Sequence, residues 1–305
     1  MSPPFISFDE GDALLDWIGL TDALAAGHLM PRADIADTFL YRGNDTLLNR
    51  AAWIDGLGLA VKSATVFPGN SGKEASTING GVTLYADATG VLEAVIDFHL
   101  VTKWKTAGDS LLAARRLARP ESENILIVGA GTQARGLHAA YSAAFPDARF
   151  TLWNRTRANA EKLAAEIEGL AIADDLETAV RAADIVTTAT MTTEPLLRGD
   201  WLQPGQHIDL IGAYRPDMRE VDDIALNRAR VFVDSLETTV GHIGELKIPI
   251  GLGTFEASQI VSDYYGPDRF KRQSPDEITL FKNGGGAHLD LMTSRYILDR
   301  WSTRA

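Results

Sequence analysis

The chain has 305 residues, 45% hydrophobic and 23% charged, the balance of a globular protein with one large or two medium domains. Its 41 acidic against 29 basic residues leave a net charge of −12, which argues against a nucleic-acid or anionic-membrane partner. There is no cysteine, so disulfides, thiolate nucleophiles and cysteine-ligated metals are excluded. The opening MSPPFISFDEGDALLDWIG lacks the basic start and long apolar core of a secretory signal, and no run approaches a membrane span, so a cytoplasmic protein is expected.

In chain order, GLGLAVKSATVF (56–67), GGVTLYAD (80–87) and GVLEAVID (90–97) read as strands, the last two joined across DATG as a hairpin. Lys62 lies on the first of these, which runs into a Pro-Gly-Asn turn. The helix HLVTKWKTAGDSLLAARRLA (99–118) follows. Its spacing puts Thr102, Lys105, Thr106 and Asp109 on one face and Trp104, Ala107, Leu111 and Leu112 on another. Taken alone, the polar face is most simply a solvated one. Strands followed by a helix make residues 1–121 an α+β domain, and the polar stretch ARPESEN (118–124) reads as the linker that ends it.

From Asn124 the chain alternates: strand NILIVGAG, helix TQARGLHAAYSAAF, strand ARFTLWNRT, helix RANAEKLAAEIEG, helix DLETAVRAA, then strands DIVTTAT, HIDLIGA and RVFVDS. The alternation predicts an α/β fold, a doubly wound parallel sheet with helices on both faces. The tail AHLDLMTSRYILDRWSTRA has helical spacing and is expected to pack back on the first domain.

GAGTQARG follows a strand and opens a helix, the context in which a glycine fingerprint means dinucleotide binding. Gly129 permits the turn, Gly131 admits the pyrophosphate, and Ala134 allows close helix–strand packing. The helix start near Thr132 offers N–H groups and a positive dipole end. Ala130 and Gln133 complete the loop. After the second strand, where NAD enzymes usually hold a carboxylate, stand Asn154, Arg155 and Thr156. An arginine with two hydrogen-bonding neighbours suits a 2′-phosphate, so NADP(H) is the preferred cofactor, with NAD(H) open. HIDLIGAYRPDMREVD delivers Gly212, Ala213 and Tyr214 to a strand's carboxyl end, where a doubly wound sheet binds its ligand. The expected cofactor contacts also include Thr106 and Thr190. None of the six histidines (28, 99, 138, 207, 242, 288) has a metal-type spacing, and no metal is expected.

Over nearly its whole length the sequence resembles the ornithine cyclodeaminase/mu-crystallin family, through VKSATVFPGN, KTAGDSLLAA, GAGTQARGLHAA, WNRT, GAYRPDMREVD and ITLFKNGGGAHLDL in that order. The resemblance implies a Rossmann domain (122–286) inserted in a discontinuous substrate and dimerisation domain (1–121 plus 287–305). It further implies a homodimer, a nicotinamide cofactor and a small amino- or imino-acid substrate. It implies that Lys62 and Lys105, the latter in place of a common arginine, hold the substrate carboxylate with an N-terminal arginine. Arg32 fits that role, with Arg42 and Arg50 as competitors. The glycines of FKNGGGAH (281–288) fall near the nicotinamide by family position, or serve as a hinge.

In the cyclodeaminases the strand-end segment carries a catalytic aspartate, and here Tyr214 occupies its place. A phenol of ordinary pKa near 10 is a poor substitute for that base. RPDMRE resembles instead the branch that reduces cyclic ketimino acids such as Δ1-pyrroline-2-carboxylate. For that chemistry Lys62 is the first candidate to deliver a proton, and Asp109, through a water, the second. An ornithine cyclodeaminase, an alanine-dehydrogenase-like oxidoreductase and a non-enzymatic NADPH-binding protein are the alternatives.

Overall fold

The computed structural model describes residues 2–304, which fall into two compact units. The first runs up to Lys105 and resumes at Gly286; the second is Thr106–Gly285.

The first unit is built on strands β1 (Phe5–Ile6), β2 (Asp34–Arg42), β3 (Asp45–Ile54), β4 (Gly58–Val66), β5 (Ile78–Tyr85) and β6 (Leu92–Asp97). They form one sheet in the order β1-β6-β5-β4-β3-β2, antiparallel except for the β1–β6 pair. Helices α1 (Phe8–Asp12) and α2 (Trp17–Gly27) precede β2, and α3 (Phe98–Leu117) follows β6. The C-terminal helix Ala287–Ser302 packs on β3, β4 and α2. On β4 the residues alternate in burial, so Ala60, Lys62 and Ala64 share the inward face. The two alanines leave room there for a helix and a long side chain. The β2–β3 hairpin has little signature in the sequence, because β2 is largely exposed and shows little apolar alternation. Gly43, at φ +59, closes it, and the pair Gly43-Asn44 was the one local signal for the turn.

The second unit holds eight strands: β7 (Asn124–Val128), β8 (Arg149–Trp153), β9 (Ala171–Ile172), β10 (Ile185–Thr188), β11 (His207–Leu210), β12 (Arg230–Val233), β13 (Ile260–Ser262) and β14 (Thr279–Lys282). Their order is β13-β12-β14-β11-β10-β7-β8-β9, all parallel. This is the doubly wound sheet expected from the alternation, with its reversal of winding between β7 and β10. Helices α4 (Thr132–Ala144), α5 (Arg157–Ala164), α6 (Leu176–Ala182), α7 (Asp223–Arg228), α8 (Leu236–Thr239) and α9 (Gly244–Leu252) connect the strands. Central strands covered on both faces are nearly continuous apolar runs; Leu126, Val128, Val186, Ile208, Leu210, Val231, Val233 and Leu280 form one cluster. Strand β14, inserted between β11 and β12, is disguised in the sequence, since its lysine and the glycines after it mask a four-residue run.

The units part inside α3 rather than at the linker 118–124. The reason is hydrogen bonding. Asn283 Nδ2 donates to Thr106 O, the Tyr264 hydroxyl to Asp109 O, and both Arg272 Nε and the Thr279 hydroxyl to Leu117 O. From Thr106 onward the helix is therefore part of the second unit.

Candidate active site

In the second unit Gly129 follows β7 at φ +110, a conformation that L side chains rarely adopt. A Cβ there would come 2.7 Å from Ala189 O, so backbone approach also requires glycine. Gly131 is the N-cap of α4 and no side chain caps that helix. A Cβ on Gly131 would meet nothing within 4 Å, which leaves open space above the helix N-terminus. Thirteen residues of α4 stand behind it. A pyrophosphate fits such a cradle, by backbone N–H donors and the helix dipole. Ala134 is buried against the sheet, and Asn154 Oδ1 accepts from the N–H of Ala130, tying the glycine loop to the end of β8. Beside Asn154, Arg155 and Thr156 are exposed. No ion pair ties Arg155 to another described residue, whereas Arg157 is paired with Glu161 and Asp174. Thr132 and Gln133 begin α4 and are accessible.

At the end of β11 Gly212 is pressed against the chain after β10: a Cβ would fall 1.9 Å from Thr190 O. The N–H groups of Gly212 and Ala213 are both committed to Glu220, so neither donates to a cofactor. Tyr214 is 59% exposed on the following loop, with Arg215 over its ring and paired to Asp217. Thr106, Thr190, Gly129 and Gly212 thus belong to one unit.

The first unit contains a buried charge cluster. Lys62 Nζ donates to Asp290 Oδ1 and to the Thr102 hydroxyl, both at 2.9 Å, and lies 4.6 Å from the centroid of the Phe98 ring. Lys105 Nζ is 3.8 Å from the same Asp290 oxygen. Lys62, Lys105 and Asp290 are all buried, so this helix face is not the solvated one that spacing alone suggested. Burial by itself raises the Asp290 carboxyl; Lys105, Lys62 and Arg50 overcome this and hold it below its ordinary range. Its place in the first turn of the C-terminal helix favours the anion too.

Arg50 lies opposite Lys62 across β3–β4 and opposite Asp37 across β2–β3, and its guanidinium is bonded to Asp37. Neighbouring His288 is pushed down to about 3 by burial first, then by Lys105, Arg50 and Arg32, and is therefore neutral. Of the three arginines left open by the sequence, Arg32 and Arg50 bear electrostatically on this cluster. Arg42 is at the far end of the hairpin, exposed and paired with Asp45. Asp109 falls in the other unit and is fully buried, where its charge helps raise the phenols of Tyr141 and Tyr264 after burial has done so.

Sequence reasoning missed Asp290, Glu220, Glu245 and Lys282 as site residues. For Asp290, Glu245 and Lys282 the signal was a charged residue inside a mostly apolar stretch, as in HLDLM and TLFK, whereas Glu220 is one charge among several in RPDMREVD. Among the described residues no group of three or more His, Cys, Asp or Glu is arranged to hold a metal.

The chain is similar to known proteins along most of its length. The profile of the ornithine cyclodeaminase/mu-crystallin family matches residues 54–305. The chain is 47% identical over 304 residues to a Δ1-pyrroline-2-carboxylate reductase of Paracoccus denitrificans, covering 97% of this chain and 96% of that one. It is 35% identical to the rat ketimine reductase mu-crystallin over 80% of this chain and 77% of that one. A Thermococcus litoralis Δ1-pyrroline-2-carboxylate reductase in complex with NADH and L-proline superposes with a TM-score of 0.88 at 25% identity, covering 97% and 96% of the two chains.

Proposed function

Because the chain belongs to the ornithine cyclodeaminase/mu-crystallin family, we propose that it reduces a cyclic ketimino acid to the corresponding amino acid with a nicotinamide cofactor. The substrate is Δ1-pyrroline-2-carboxylate, its six-membered homologue Δ1-piperideine-2-carboxylate, or both, and the products are proline and pipecolate. The observation that carries the reading is the cluster of Lys62, Lys105 and Arg50 around one buried carboxylate. Its cations outnumber its anions, which suits a small anionic substrate. Relatives named for this reaction support the same substrate class.

The bound cofactor would supply the hydride for the C=N carbon. The protein's part is to bind, orient and protonate. Lys105 and Arg50, with Arg32, hold the substrate carboxylate, and Lys62 delivers the proton that the imine nitrogen gains. Asp290 and Thr102 take two of the three Lys62 N–H bonds, which leaves one for the substrate. With that N–H remaining, Lys62 is the donor in this reading, ahead of the fully buried Asp109. An exposed tyrosine at 214 supplies no carboxylate base for amino-group deprotonation, which disfavours ornithine cyclisation.

NADPH is the cofactor of choice in this reading, because Arg155 is exposed and unpaired among described residues and no carboxylate stands at 154–156 to repel a 2′-phosphate. The reading also includes a homodimer through the first unit, whose edge strand β2 and neighbour β3 expose Phe39, Leu40, Tyr41 and Trp53.

The test is NADPH oxidation with each imine, against ornithine plus NAD as control. Consumption of NADPH with formation of proline or pipecolate is expected. Ammonia release from ornithine would sink the reductase reading, and tight NADPH binding without turnover of any imino acid would replace it with a binding role.

A further inference from the structure

Glu220 carries a fully buried carboxylate with no part in the chemistry above. Its Oε1 accepts from the N–H of Thr190 at 2.9 Å and from the Thr190 hydroxyl at 2.8 Å. Its Oε2 accepts from the N–H groups of Gly212 at 2.7 Å and Ala213 at 3.2 Å. A carboxylate has about four lone-pair sites, and burying it is costly unless they are used. Here four donors use them, and the donors come from two different strand ends. Thr190 lies two residues past β10, and Gly212 two residues past β11.

The same strand ends are in close backbone contact. Gly212 packs on Thr190 and Gly129 on Ala189, each too closely for a side chain. The phosphate-binding turn after β7 and the turns after β10 and β11 therefore stand in series, with Glu220 bonding the last two. Glu220 is itself held from behind, its own N–H and that of Val221 donating to the Glu245 carboxylate. Lys282, also fully buried, donates to Leu210 O at the end of β11 and to Asn283 O. Burial lowers the pKa of its ammonium, while the Glu220 and Glu245 charges act to raise it.

We infer that Glu220 is a positioning residue for the nicotinamide: it holds the ends of β10 and β11 as one floor, in register with the phosphate turn. This rests on the reductase reading above. The phosphate turn fixes one end of the cofactor through backbone and helix dipole, and the Glu220 floor sets the depth at which the ring stands over the strand ends. Its contribution is geometric, since a small displacement of a reacting carbon costs far more in rate than in binding.

Glu220→Gln tests it. Gln keeps the size but turns one oxygen into an N–H₂ group facing donors, which releases one strand end. Affinity for NADPH should fall about tenfold, while affinity for 2′-phospho-ADP-ribose, which lacks only the nicotinamide, stays within about twofold. The emission of bound NADPH should move toward that of the free cofactor, and kcat for imine reduction should fall with the imine KM unchanged. Equal losses for both nucleotides, or wild-type values for both, would overturn the proposal. If the variant does not fold, amide exchange in the wild-type protein without cofactor decides. The Thr190, Gly212 and Ala213 amides should exchange as slowly as those of β11, and exchange at loop rates would overturn it. Neither the nucleotide comparison nor the exchange requires turnover, so a failure of the reductase reading would leave both results legible.

Discussion

In the proposed reading the two units bind charge by opposite means. In the second, the proposed phosphate cradle is made of backbone: Gly129, Gly131 and the start of α4 lie within a few consecutive residues, and a Cβ on Gly131 would meet nothing within 4 Å. In the first, the cation cluster is made of side chains from β3, β4, α3 and the C-terminal helix, brought together from positions 50, 62, 105 and 290. A backbone site tolerates change in its surroundings but not in its glycines. A side-chain site depends on every member, because each buried charge is uncompensated when its partner is lost.

Breaking the first-unit cluster should give the largest effects. Lys62→Ala is expected to lower imine reduction at least about 100-fold, the range of a lost general acid, with NADPH affinity near wild type. A mutant of normal rate would remove Lys62 from the site. Asp290→Ala leaves the buried Lys62 without its counter-ion and should destabilise the fold by about 3–5 kcal/mol, read from denaturant unfolding. An unchanged midpoint would show that the pair is not carrying that charge.

In the cofactor site the expected effect is smaller. Arg155→Ala should weaken NADPH about tenfold and leave NADH unchanged, as for one exposed charge-assisted contact. Equal weakening of both would show that Arg155 does not read the 2′-phosphate.

The smallest effect is a pH dependence in the second unit. Burial, then the Glu220 charge, pushes Glu245 from 4.5 to about 7, and burial pushes Asp209 from 3.8 to about 6. In both cases the folded state holds a proton that the unfolded chain has already lost. Their contribution to stability is thus full below about pH 4 and declines as the pH rises to 6 and 7. Glu245→Gln should flatten the fall in melting temperature between pH 5 and 8 by a few degrees, roughly the shift for a 1 kcal/mol change. The first unit runs the other way. The depressed Asp290 contributes stability above its ordinary range and loses it as the pH falls through the folded value.

By itself the amino-acid sequence determined what is local. Alternating apolar runs and helical spacing specified the doubly wound sheet, GAGTQARG its first glycine turn, WNRT the missing carboxylate, and HIDLIGAYRPD the strand end with Tyr214. Each is written in a few adjacent residues, since backbone dihedrals and side-chain periodicity are short-range properties. Only the tertiary structure decided that Lys62 and Lys105 share Asp290. It alone set the unit boundary inside α3, inserted β14 into the sheet and aimed four donors at Glu220. A buried ion needs partners wherever the chain can supply them, and those partners lie up to 228 residues apart.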